Sequence, residues 1–360
     1  MIPPARPSRT AVPVTRRALL GAAGALAVLP LASCGPIALG RPEQYTPPPP
    51  GIDDLYRVDL LAVLDRAAAG TQALVALAGP DEDPALSGAL SELAGALPVQ
   101  RTALLTGAEY EKELEAAEEP AAEQTSPPPP EAPEDLPALL ECLVELRDLA
   151  AAAARQVSGS LARPLSGIAA HTAWSALRLH RAAGEAVSEG VPASPTAEEI
   201  VPQREVPASD PPSIGAESDY HSTLERAQLE EWYAGYLGEV LASRTEGDAR
   251  ERHLDLTERH RERAEELGRI AEEDGAPVVA RQAVYALPGD MHDAELVETL
   301  PRLLAQGLLL DHIALVGAAP FERRSLPIAA ALQEAEQLAA LADRMEPLPG
   351  LEVEQAPIAG

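Results

Sequence analysis

Residues 136–157 read LPALLECLVELRDLAAAAARQV, and this stretch decides the fold. Leu139, Leu140, Leu143 and Leu146 recur at spacings of three and four, which keeps them on one helical face. Ala150 to Ala154 continue the pattern with the strongest helix former of all. Cys142 lies inside the leucine stripe and reads as a small buried apolar residue. The rest of the chain is written in the same alphabet. Aromatic residues make up only 3%, and the β-branched and aromatic runs that mark strands are nearly absent. The chain therefore reads as all-α.

Outward from this stretch, the same pattern marks seven further helices. Three belong to the first half: about 53–77, 84–105 and 161–186. The second starts at Asp83-Pro84, a capping acid followed by proline at the first helical position. The other four lie at about 216–243, 248–274, 293–318 and 326–345. Gly275-Ala276-Pro277 closes the second of these. Between the halves, residues 191–213 carry Pro192, Pro195, Pro202, Pro207, Pro211 and Pro212, a spacing that no helix survives, so this is a linker. Residues 117–137 hold Pro127 to Pro130 and a run of acids, the composition of a disordered surface loop. Four long helices in each half predict two tandem four-helix bundles, an N-terminal one over 52–190 and a C-terminal one over 214–352, followed by a tail at 353–360. A single eight-helix array is the structural alternative.

Charge removes one class of partner. The chain has 28 basic and 57 acidic side chains, a formal charge of −29. Nucleic acid is excluded, because phosphate binding needs patches of Lys and Arg. Docking on anionic headgroups is disfavoured for the same reason. The two cysteines, Cys34 and Cys142, cannot form a cysteine zinc cluster.

The N-terminus explains how a membrane could still be reached. Residues 1–33 contain four arginines and no acid; Arg16-Arg17 precede an apolar run from Ala18 to Leu31. A charged start, a short apolar stretch and small residues before a cleavage point make a secretory signal. The run is broken by Gly21, Gly24 and Pro30, and it is short of the ~20 apolar residues a span requires. Leu31-Ala32-Ser33-Cys34 resembles the lipobox of bacterial lipoproteins. That resemblance implies cleavage before Cys34 and a diacylglyceryl group on its thiol. Thr15-Arg16-Arg17-Ala18-Leu19-Leu20-Gly21 resembles the twin-arginine export motif, with Leu19 where Phe is usual and Gly21 where Lys is usual; Sec export remains the alternative. Two acyl chains on one cysteine suffice for stable anchoring. Residues 34–51, with Pro47 to Pro50, form an extended tether beyond it. The expected location is the outer face of the cell membrane.

The stretch from Leu224 to Leu351 resembles the ferritin-like domain of unknown function found in bacterial envelope proteins. The residues that carry this are Glu231-Trp232-Tyr233-Ala234-Gly235-Tyr236-Leu237-Gly238, His260-Arg261-Glu262-Arg263, Tyr285-Ala286-Leu287-Pro288 and Pro349-Gly350-Leu351. Trp232 stands where that family often has His. The resemblance implies a ferritin-like four-helix bundle, and it raises iron or manganese as a cofactor.

A di-iron bundle site takes a Glu from each of two helices and Glu-x-x-His from each of the other two. Residues three apart share a helix face, so one helix can present a carboxylate and an imidazole together. The residues three before the seven histidines are Ile168, Leu177, Ser218, Arg250, Thr257, Gly289 and Leu309. None is acidic, so the motif is absent and no cofactor is the first expectation.

Polar residues nevertheless interrupt two apolar faces. Leu256, His260, Ala264, Leu267 and Ala271 follow helical spacing, which turns His260 inward. Ala227, Glu231, Ala234 and Gly238 form a small-residue seam that Glu231 breaks. A buried Glu must be paired, hydrogen-bonded or protonated. Glu231 and His260 are therefore expected to meet as a pair that fixes helix register. Glu231, His260, Asp311 and Glu334, with His312, are the weak metal candidates. The run from Arg250 to Arg269 alternates Arg with Glu and reads as a solvated face. His171 and His180, flanking Trp174, read as partly exposed. No catalytic motif is present. The first expectation is a non-catalytic envelope lipoprotein that interacts with or scaffolds other envelope proteins. A metal-binding oxidase or metal store, and a small-molecule binder using the cleft between the halves, are the alternatives.

Overall fold

Local capping chemistry sets several of the helix ends in this computed structural model. It describes residues 49–77, 83–118, 131–184, 187, 190–206 and 217–351. Among these, the chain is all-α. The helices are α1 (Ile52–Leu77), α2 (Pro84–Leu104), α3 (Gly107–Glu118), α4 (Leu136–Gln156), α5 (Gly159–Ala183), α6 (Glu217–Ala242), α7 (Gly247–Asp274), α8 (Ala294–Ala318) and α9 (Ser325–Leu341). The signal residues Arg16, Arg17, Leu31, Ala32 and Ser33, the lipidation residue Cys34 and most of the tether lie outside the described residues, as does the tail from 352.

Asp83 accepts the Leu86 N–H at 3.0 Å to open α2, and Asp135 accepts the Ala138 N–H at 2.9 Å to open α4. Each satisfies a backbone donor that the first turn leaves free. Gly275 closes α7 at φ 70°, and the Ala276 N–H returns to the Ala271 carbonyl at 2.9 Å. That left-handed position favours glycine. Helix α3 was not expected. It begins in a capping box: the Thr106 N–H donates to Glu109 at 2.8 Å, while the Glu109 N–H donates back to the Thr106 hydroxyl at 3.4 Å. The expected loop 117–137 begins inside α3 and has its centre outside the described residues. At its far end Pro133 is buried against Gly70 of α1.

The core centres on α5. Every residue from Leu165 to Ala176 is buried, which requires neighbours on all sides. They are α2, α4, α8 and α9. Small residues make the crowding possible. At Gly159 a β-carbon would stand 2.4 Å from the Gly317 carbonyl oxygen of α8. One hydrophobic core consequently runs from Ile52 of α1 to Leu348 beyond α9.

This packing does not establish two tandem bundles. Helices α1, α2, α4 and α5 touch one another, and α6 to α9 form a second group, but α5 lies against α8 and α9 as well. The described residues from Pro50 onward make one compact unit. Arg324, 1% exposed, reinforces the seam between the groups: it donates to the Ala319 carbonyl at 2.9 Å, to the Val157 carbonyl at 2.5 Å and to the Ala154 carbonyl. These are carbonyls at helix C-termini, where a cation is favoured.

Two sequence readings are corrected here. His171 is fully buried rather than partly exposed, because α8 and α9 cover the face of α5 that one bundle would leave open. Its neighbours are Trp174, with ring centroids 5.6 Å apart, and the Ser175 hydroxyl at 3.3 Å. The described part of the linker is irregular, as expected, but it is strapped down. Arg147 donates to the Pro192 carbonyl at 2.8 Å, Gln156 to the Arg204 carbonyl at 2.6 Å, and Ile200 is buried.

Candidate functional site

The seam on α6 is where the chemistry gathers. Ala227, Glu231, Ala234 and Gly238 are all buried, and α7 comes close across them. A β-carbon at Gly238 would meet the Thr257 hydroxyl at 2.3 Å. This approach carries Glu231 of α6 onto His260 of α7. His260 Nδ1 lies 2.7 Å from Glu231 Oε2. Helix α8 supplies a second imidazole: His312 Nε2 lies 2.6 Å from Glu231 Oε1. An ionised carboxylate only accepts, so both rings donate to it, His260 from Nδ1 and His312 from Nε2.

The fourth partner is a cation. Arg263, one turn beyond His260, places Nη1 3.1 Å from Glu231 Oε1 and 2.6 Å from Glu334 Oε1 of α9. Its other terminal nitrogen donates to the Gln333 side-chain oxygen. Glu231, Glu334 and His312 are 0% exposed, His260 5% and Arg263 6%. Four helices thus meet at one buried ionic network.

Charges this deep persist only when paired. Burial acts to raise the Glu231 carboxyl, but the Arg263 guanidinium and the two histidine hydrogen bonds overcome it. Together they hold Glu231 well below the usual carboxylate range. Burial likewise acts to lower the Arg263 guanidinium, and Glu231 and Glu334 together raise it. Two buried polar atoms have no partner here, Glu334 Oε2 and His312 Nδ1.

The structure brings together four of the five metal candidates, Glu231, His260, His312 and Glu334, and separates the fifth. Asp311 precedes His312 on α8, and adjacent helical residues point about 100° apart, so only one can face Glu231. His312 does. Asp311 turns toward the surface and pairs with Arg226 at 2.8 Å; burial still raises its carboxyl. Among the described residues no three His, Cys, Asp or Glu side chains are arranged to hold a metal ion. Iron or manganese does not fit these donors. Arg263 bridges the two carboxylates that would be ligands, and Glu231 already engages both imidazoles.

Arg263 is the residue that sequence reasoning missed. It was read as part of a solvated run, and its neighbours Glu262 and Glu265 are exposed as that reading requires. A signal was present, however. Leu256, His260, Arg263 and Leu267 fall on one helical stripe, so Arg263 shares the inward face of His260.

The remaining motif residues hold the frame around this network. Trp232 donates its indole N–H to the Val279 carbonyl at 3.2 Å. Tyr233 and Tyr236 pack on Tyr285 with ring centroids 6.0 and 5.5 Å away. Together they pin the α7–α8 connection onto α6. Near the other end, Pro349 is buried against Gly167, and Arg163 donates to the Gly350 carbonyl at 2.6 Å, tying this turn to α5.

Comparison with known proteins adds one finding. Residues 224–353 match the family described as a domain of unknown function (DUF4439). The match takes in α7 to α9, most of α6 and every member of the ionic network. No curated protein matches the chain, and no solved structure does.

Proposed function

We propose that the mature chain is a membrane-anchored envelope lipoprotein whose α6–α9 region is a ferritin-like bundle without catalysis, serving as an interaction or scaffolding module. On this reading the Arg16-Arg17 signal exports the chain, by a twin-arginine or Sec route. Lipid on Cys34 then holds it at the outer face of the membrane. The proline-rich tether at 34–51 spaces the helices from the bilayer.

One observation carries the non-catalytic part. Arg263 lies between Glu231 and Glu334, so the positive charge that such carboxylates require comes from the chain itself. A guanidinium is fixed, permanently charged and redox-inert. It makes the centre a structural lock joining four helices, in place of a metal site.

Two measurements test the proposal. The mature protein, purified without chelators, is expected to carry no stoichiometric iron or manganese. A stoichiometric metal signal that disappears in Glu231→Ala would overturn the reading in favour of an oxidase or metal store. For the anchor, Cys34→Ala is expected to move the protein from the membrane fraction to the soluble fraction of the host cell. An unmodified, uncleaved N-terminus by mass spectrometry would remove it.

A further inference from the structure

A cleft of about 410 Å³ opens between α2, α8, α9 and the turn at 344–350. This is within the range of small-molecule sites, roughly 300–1,000 Å³. Its floor is apolar: Leu309 and Leu338 are buried, and Leu310 and Met345 flank them. Its walls carry charges of both signs. Glu92 of α2 stands on one side and Arg302 of α8 on another, with Arg344 and Glu346 from the C-terminal turn.

The charges are not equivalent. Glu92 is half-buried, and burial raises its carboxyl, but Arg178, Arg344 and the Met345 backbone N–H all act to stabilise its charge. Glu346 is exposed to water. Arg302 is half-buried and makes no ion pair or hydrogen bond among the described residues. Arg244, Arg250, Arg252, Arg259 and Arg344 also lack an ion pair or hydrogen bond among the described residues, but they are exposed, whereas Arg302 is half-buried. The cleft thus offers one half-buried guanidinium without such a partner, Arg302, at the edge of an apolar floor, and the exposed Arg344 on another wall.

We propose that this cleft binds a small amphiphile, one carboxylate on an apolar body, with Arg302 holding the carboxylate and Leu309, Leu338 and Met345 the body. A planar guanidinium matches a carboxylate through paired N–H donors. The apolar body is driven onto the leucine floor by leaving water. Walls from both halves of the chain enclose the ligand, so binding clamps α2 against α8 and α9. The site is independent of the anchor and of the Arg263 lock. It gives the small-molecule alternative a location and a ligand class.

The test is calorimetric titration of the mature full-length protein with four probes: octanoate, octyl sulfate, octanol and octyltrimethylammonium. Octanoate is expected to bind one-to-one, at least tenfold tighter than octanol, and the ammonium probe weakest of all. Octyl sulfate distinguishes a general anion site, where it equals octanoate, from a carboxylate site, where it is weaker; equality overturns the carboxylate assignment. Arg302→Gln should abolish the advantage of octanoate over octanol, while Arg302→Lys retains part of it and both variants keep the parent's circular dichroism. Leu310→Trp, at the mouth, should weaken all the probes. Octanoate binding no tighter than octanol, no binding by either, or octanoate affinity unchanged in Arg302→Gln overturns the proposal.

Discussion

Replacing Arg263 by methionine, of similar reach and no charge, is the sharpest test of the buried network. Its guanidinium is 6% exposed and stands 3.1 Å from one fully buried carboxylate and 2.6 Å from another. In Arg263→Met, Glu231 keeps its two histidines, but Glu334 loses its only ion pair among the described residues. Breaking a buried pair by removing one partner costs about 3–5 kcal/mol, because the other charge is left uncompensated. Against a typical total of about 5–15 kcal/mol, this is a large share of the stability. The pH dependence has a definite sign. Against burial, Arg263 is the foremost of the influences that hold Glu231 below the usual carboxylate range, so the variant loses part of that depression. A depressed carboxylate contributes its stability above the unfolded value, so the deficit relative to the parent is largest at pH 8 and shrinks as pH falls toward about 4. Removing the second charge as well, in Arg263→Met with Glu334→Gln, should restore at least half the loss, because these residues share one network. Urea unfolding followed by circular dichroism at the two pH values measures all three proteins. A deficit below about 1 kcal/mol at pH 8, the size of an exposed pair, would refute the reasoning. So would a double variant no more stable than the single one.

Three further outcomes follow from the packing. Burial pushes the His171 imidazole down to about 4, so the folded state holds it neutral while the unfolded chain takes a proton near 6.5; its contribution, roughly 3 kcal/mol, is complete above pH 6.5 and lost as pH falls to 4. His171→Leu should flatten the stability profile across that window, and parallel profiles for variant and parent would contradict a buried neutral ring. Gly159→Ala would set a methyl 2.4 Å from the Gly317 carbonyl, so α5 and α8 must separate, at a cost of about 1–3 kcal/mol in thermal unfolding; an unchanged melting temperature would mean the two helices do not approach this closely. Burial raises the Cys142 thiol to about 11. In a Cys34→Ala background its reaction with a disulfide reagent at pH 8 should be about a hundredfold slower folded than in urea, and equal rates would place it at the surface.

Much of the helical frame was legible in the sequence, because it depends on interactions within a few residues. Asp83-Pro84 opened α2, and Gly275 closed α7, where local capping chemistry says they should. The alternation of small and polar residues around Glu231 and His260 was enough to bring the two together, since a buried carboxylate needs a partner and the nearest inward polar residue supplies it. Helix α3 went unread because its capping box, Thr106 with Glu109, precedes a strongly polar segment with no apolar face.

What the sequence by itself determined is therefore the all-helical class, most of the helix boundaries and the Glu231–His260 pair, one part of the buried network, all set by backbone propensity and by spacing along single helices. Only the tertiary structure decided which helices share a core. Burying His171 takes α8 and α9 folding back over α5, and nothing local to α5 encodes that. It also decided that Arg263, one stripe position from His260, leaves the solvated face to stand between Glu231 and Glu334. That choice rests on two carboxylates from helices about a hundred residues apart, whose mutual repulsion in a dry interior is relieved by a cation reaching both.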